Sequence, residues 1–185
     1  MNKGFTIIES LVAITILIIG VLGPMTAATR GITDGLYASN QLIATYLAQE
    51  AIELASVQLT KNSNTPGVDF LADLSDCLSS NFLITCATVI TPNGDGAFEF
   101  KSCANADGCQ IAYDSDSGFY RSYPSGGTNF VGPIFTRTLK VKKLSETTDD
   151  PPKVKDVLLK AEVTWFNKTI SKNLSLSRYV FNPKQ

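Results

Sequence analysis

The chain of 185 residues has no histidine. That absence removes the Ser/His/Asp triad, the Cys/His nucleophile pair and the usual zinc ligand together. No nucleophile, base and orienting group stand at a recognisable spacing, so the sequence predicts neither an enzyme nor a metal or cofactor site. A surplus of either charge is missing too. Sixteen basic and 17 acidic residues leave a net charge of −1, which argues against a strongly basic nucleic-acid surface or a polyanionic tail. The 44% hydrophobic content excludes a disordered chain and fits one modest domain with an appendage.

Cysteine is confined to four positions, Cys77, Cys86, Cys103 and Cys109, all beyond the N-terminal apolar run. An exported domain meets an oxidising compartment there, where thiols pair. Four cysteines permit three connectivities. Short separations favour Cys77 with Cys86 and Cys103 with Cys109, with non-local pairing and four reduced thiols as the alternatives.

The N-terminus decides the class. After Met1-Asn2-Lys3-Gly4, residues from Phe5 to Met25 carry one ionisable side chain, Glu9, and no further charge occurs until Arg30. As a helix those positions span about 31 Å, against a hydrocarbon core of roughly 30 Å. Lys3 ahead of the run favours a cytoplasmic N-terminus. A cleaved secretory signal, an ordinary anchor and a short leader before a filament helix are the competing readings. Secretory apolar cores are shorter and lack a carboxylate, and Thr26-Ala27-Ala28 is a weak cleavage site. A charge at the centre of a spanning helix costs about 2.5–3.5 kcal/mol on insertion scales, so an acid kept there implies a cationic partner. Cutting the bond after Gly4 would give Phe5 a free amine four residues from Glu9.

Lys3-Gly4 followed by Phe5-Thr6-Ile7-Ile8-Glu9-Ser10-Leu11-Val12-Ala13-Ile14 resembles the class III leader and N-terminal helix of type IV pilins and pseudopilins. The likeness is close over roughly the first 30 residues and loose beyond them. It implies that prepilin peptidase cuts after Gly4 and that the new Phe5 amine is methylated. It also implies that Glu9 pairs with the amine of an adjacent subunit. Gly4 suits such a cut because it lacks a side chain. Gly20, Gly23 and Pro24 interrupt the apolar helix, and a kink or local melting is expected there.

Farther on, Leu36, Ile43, Leu47, Ala51 and Leu54 form a helical stripe with Thr45, Gln49 and Ser56 opposite, predicting that the stripe packs on a folded domain. The helix is expected from Phe5 to about Thr60, ended by Asn62-Ser63-Asn64-Thr65-Pro66-Gly67. Val68 to about Gly108 reads as an irregular connection, with Phe82-Leu83-Ile84 held between Cys77 and Cys86 and a turn at Pro92-Asn93-Gly94-Asp95-Gly96. Gln110–Tyr113 and Phe119–Tyr123 read as a hairpin around Asp114-Ser115-Asp116-Ser117-Gly118. Asp114 and Asp116 have calcium-ligand spacing without the remaining carboxylates of a calcium loop, so turn chemistry is the stronger reading.

Ile134–Leu144, Val154–Phe166 and Ile170–Phe181 are the long strand candidates, separated by Thr147–Pro152 and Asn167-Lys168-Thr169. Val157, Leu159, Ala161, Val163 and Trp165 alternate onto one face and should cover the helix. Lys140, Lys142, Lys143, Lys153 and Lys155 lack interleaved aromatics, so a solvated face is expected and nucleic acid is not. Asn167-Lys168-Thr169 and Asn173-Leu174-Ser175 match glycosylation sequons and fit hairpin composition.

The expected architecture is α+β, a long N-terminal helix on an antiparallel sheet of about four strands. Residues 1–4 form a leader, 5–29 a membrane and filament-core helix, 30–61 its amphipathic second half, and 62–185 a disulfide-containing head. The resemblance implies a structural subunit, more like a minor pilin than an abundant one. A minor pseudopilin of a type II secretion system and a membrane-tethered binding domain are the alternatives. It implies a single-pass inner-membrane precursor that enters an extracellular filament or a periplasmic pseudopilus. Its partners would be other pilin subunits, prepilin peptidase, the inner-membrane assembly machinery and, before assembly, membrane lipid.

Overall fold

The structure is a computed structural model that describes residues 6–78, 86–90, 98–103, 109–122, 129–146, 148, 153–167 and 170–183. The chain divides into two compact units, Met1–Ser39 and Asn40–Gln185. The helix α1, Ile7–Asn64, contributes to both.

Helix α1 begins after Thr6, whose Oγ1 accepts the Glu9 backbone N–H at 3.4 Å, an N-cap arrangement. Its other end lies slightly later than expected. Asn62 and Ser63 read as loop residues, yet they are buried in the last turn, where the Asn62 amide donates to the Phe70 carbonyl at 3.3 Å. Thr65 N–H closes on the Lys61 carbonyl at 3.1 Å, and Gly67, at φ 78°, takes the chain away.

In the second unit, α1 packs on the sheet through Ala44, Leu47, Ala48, Ala51, Ile52, Ala55 and Leu59, all buried. This corrects the expected stripe. Leu36 is 60% exposed, and Ile43 and Leu54 are only half-buried. Alanines fill four of these seven buried positions, alongside Leu47, Ile52 and Leu59.

The sheet has seven antiparallel strands: β1 Cys86–Ile90, β2 Phe98–Ser102, β3 Gln110–Asp114, β4 Phe119–Ser122, β5 Phe130–Glu146, β6 Val154–Asn167 and β7 Ile170–Phe181. That replaces the expectation of about four. The missed pair, β1 and β2, comes from the stretch read as irregular. Each is five residues long, and they find each other in the register Cys86 to Ser102 and Ile90 to Phe98. The Phe82-Leu83-Ile84 cluster and the Pro92–Gly96 turn between them lie outside the described residues.

Strand β5 organises the sheet. One edge pairs with β6, which pairs with β7; the other edge is shared by β3 and, at Leu139, by β1. The β3–β5 register shifts between Ile111 and Tyr113, opposite Gly132 at φ 88° and Pro133, which has no N–H to place in a ladder. Phe135, Leu139, Val141, Val157, Leu159, Ala161, Val163 and Trp165 are at most 2% exposed and form the apolar face toward the helix.

One charge enters this core. Arg137, 3% exposed, donates through Nη1 to the Leu47 carbonyl at 3.3 Å and pairs with the Glu50 carboxylate, tying β5 to α1. Burial pulls the guanidinium pKa down, and the Glu50 carboxylate opposes that shift. Glu50 keeps contact with solvent while Arg137 does not. Removing the acid therefore strands a buried cation, whereas removing the cation frees an acid that water can hold. Glu50→Ala is expected to destabilise the detergent-solubilised chain by about 3 kcal/mol in chemical unfolding, and Arg137→Met by clearly less. Equal losses would show that the pair is not asymmetric in this way.

Candidate functional site

The first part of α1 is long and apolar enough to cross a membrane, and none of that window is buried within the chain. Its large side chains range from 50% exposed at Val12 to 88% at Ile7. Such a surface needs lipid or protein around it. The hydroxyls are suited to that setting. Thr15, Thr26 and Thr33 donate to the carbonyls of Val12, Gly23 and Arg30 at 2.8 Å, and Thr29 to those of Met25 and Thr26 at 3.1 and 3.0 Å. Each is satisfied by its own helix. The segment is consistent with a single-pass membrane anchor.

Glu9 sits in the first turn, exposed, and its carboxylate meets no hydrogen-bond donor or cation among the described residues. Thr6 and Glu9 stand at capping-box spacing, a signal present in the sequence as Thr-x-x-Glu and passed over there. Gly4 and Phe5, the expected cleavage and methylation residues, lie outside the described residues. Helix α1 runs continuously through Gly20, Gly23 and Pro24. A Cβ added at Gly20 or Gly23 would meet nothing within 4 Å, so the chain's own packing does not require glycine at either position.

The four cysteines fall into two local pairs at disulfide distance, Cys77 with Cys86 and Cys103 with Cys109, with Cα atoms 5.5 and 5.7 Å apart. The first joins the short 3-10 helix Ala72–Cys77 to β1; the second lies between β2 and β3.

At the β3–β4 tip, Asp114 works as a turn residue. Its Oδ1 accepts the Asp116 N–H at 3.1 Å and its Oδ2 the Ser117 hydroxyl at 2.8 Å, with Arg121 at 3.7 Å. Asp116 accepts from the Asn129 amide through both oxygens at 3.0 Å. The carboxylates that had calcium spacing are thus engaged by donors of the turn itself, and no group of three possible metal ligands occurs among the described residues. The Ser117 hydroxyl, the Asp116 N–H and Arg121 hold the Asp114 carboxyl below its ordinary pKa, against the pull of burial.

The late lysines are partly neutralised. Lys140 and Lys160 both reach Glu162 at 2.6 Å, and Lys143 reaches Glu146 at 3.2 Å. Burial raises the Glu162 pKa, and the two lysines more than reverse that. Asn173 of the second sequon stands exposed on β7, while Lys168 and Thr169 of the first lie outside the described residues.

Comparison of the chain with protein-family models, curated proteins and solved structures finds no match.

Because the native Asp114 pKa is depressed, its stabilising contribution is complete above the ordinary aspartate pKa and disappears as pH falls through the lower native value. The β3–β4 hairpin is expected to loosen over that acid range, seen as broadening of the Tyr113 and Tyr120 NMR signals. Asp114→Asn should remove this acid step; a step of unchanged size in the variant would locate the proton elsewhere.

Proposed function

We propose that this chain is a structural subunit of a type IV pilus-like filament, of the minor-pilin kind, trimmed by prepilin peptidase between Gly4 and Phe5. The observation that carries the reading is the uncovered apolar helix with a single acid, Glu9, in its first turn, unpartnered among the described residues. An ordinary anchor has no use for that acid. A helix destined to leave lipid for a bundle of its own kind does, because a carboxylate shut among apolar helices must meet a cation.

In this mechanism the bilayer stores the precursor with its N-terminus in the cytoplasm. Trimming removes the polar leader and exposes the Phe5 amine. Glu9 of an entering subunit then aligns on the amine of a neighbour, and the apolar helices bundle while the sheet units form the outside. The internally satisfied threonine hydroxyls support the same course, since a helix carrying unsatisfied hydroxyls would resist transfer between two apolar surroundings.

N-terminal sequencing of the exported protein tests the reading. Phe5, methylated, is expected as the first residue; Thr29 would indicate a conventional signal peptide and Met1 a tethered domain that does not polymerise. Glu9→Ala should insert and be trimmed normally while filament yield falls at least tenfold, the ratio expected from losing about 1.4 kcal/mol or more of a charge pair. Wild-type yield from that variant would remove Glu9 from the mechanism. Mass spectrometry of sheared filaments should find the chain in trace amounts, whereas dominance would make it the major subunit.

A further inference from the structure

The unit Met1–Ser39 carries three charged side chains beyond the leader, Glu9, Arg30 and Asp34, and none of the three has a partner among the described residues. Glu9 and Arg30 lie 21 positions apart with only uncharged residues between them. In a helix that is about 31 Å, so a precursor spanning a bilayer of roughly 30 Å holds both charges at its boundaries. The same interval becomes an address once two such helices lie side by side. Precursors share one topology in the membrane, so the helices are parallel.

We infer that Arg30 of one copy is a second cationic partner for Glu9 of another copy of this chain, set by a parallel stagger of 21 residues. The inference rests on the assembly reading above. It commits to a second copy because the complementary charge sits on the same segment at the matching interval. The face around Arg30 is cut away for such a neighbour. Gly23 and Ala27 precede Arg30 by seven and three residues and share its side of the helix, and a Cβ at Gly23 would meet nothing within 4 Å.

At this stagger, Phe5 of the first copy comes level with Thr26 of the second, beside those small residues. The trimmed segment is electrically closed: the Phe5 amine and Arg30 balance Glu9 and Asp34. A carboxylate has two oxygens, so Glu9 is able to accept from an amine of one neighbour and the Arg30 guanidinium of another.

The test uses full-length chain overexpressed in cells that assemble it. Ala13 and Asp34 are level at this stagger and lie one turn beyond Glu9 and Arg30 on the same two facing sides. Cells co-expressing Ala13→Cys and Asp34→Cys chains should give a disulfide-linked dimer on a non-reducing gel, and cells with either variant alone should not. Arg30→Gln should lower filament yield about tenfold while Arg30→Lys keeps most of it, with insertion and trimming unchanged in both. No mixed dimer, a cross-link to a different protein, or wild-type yield from Arg30→Gln would each overturn the inference. If the exported chain still begins at Phe5 and Glu9→Ala still abolishes filaments, only the stagger has failed. If the leader persists, the assembly reading has failed.

Discussion

A carboxylate cannot be left alone among apolar helices, and much of what this chain does follows from that rule. The first part of α1 offers nothing but apolar side chains and self-satisfied hydroxyls to its surroundings, with Glu9 as the exception in the first turn. In a helix that spans lipid, an acid in the first turn would lie close to the aqueous boundary. Move the same helix into a protein bundle and that relief is gone. In the proposed assembly the acid would then select for arrangements that bring it a cation.

The second unit obeys the same rule with the signs exchanged. Arg137 is buried under the helix and is held by Glu50 and the Leu47 carbonyl, so the contact between α1 and β5 is specified by charge as well as by shape. A slide of the helix by one turn would keep apolar groups in contact with apolar groups, but it would separate these two charges. Register between helix and sheet is thereby fixed where alanine methyls alone would discriminate poorly.

Much of this was legible in the sequence. The apolar run, the odd acid and the period-two pattern of β6 are dense local signals, and Val157 to Trp165 lie on the buried face that the alternation indicated. What failed to show was set by partners distant in the chain. Strands β1 and β2 are too short to announce a period, and they exist through pairing with each other and with Leu139. The helical stripe drawn from apolar spacing caught Leu47 and Ala51 of the buried face but took in the exposed Leu36 and missed Ala44, Ala48 and Ala55. Glu50 and Arg137, 87 positions apart, carry no local signal that they meet. For the candidate site, Glu9 stood out by isolation, whereas its capping relation to Thr6 was hidden inside the same few residues.

The alanine row on α1 has a further meaning. Ala44, Ala48, Ala51 and Ala55 have no side-chain torsions to immobilise, so docking this face orders almost nothing beyond the backbone already fixed by the helix. The rotamer cost of this face falls on Leu47, Ile52 and Leu59 alone. The joint between α1 and the sheet thus combines torsion-free methyl groups with a single charge pair that sets its register.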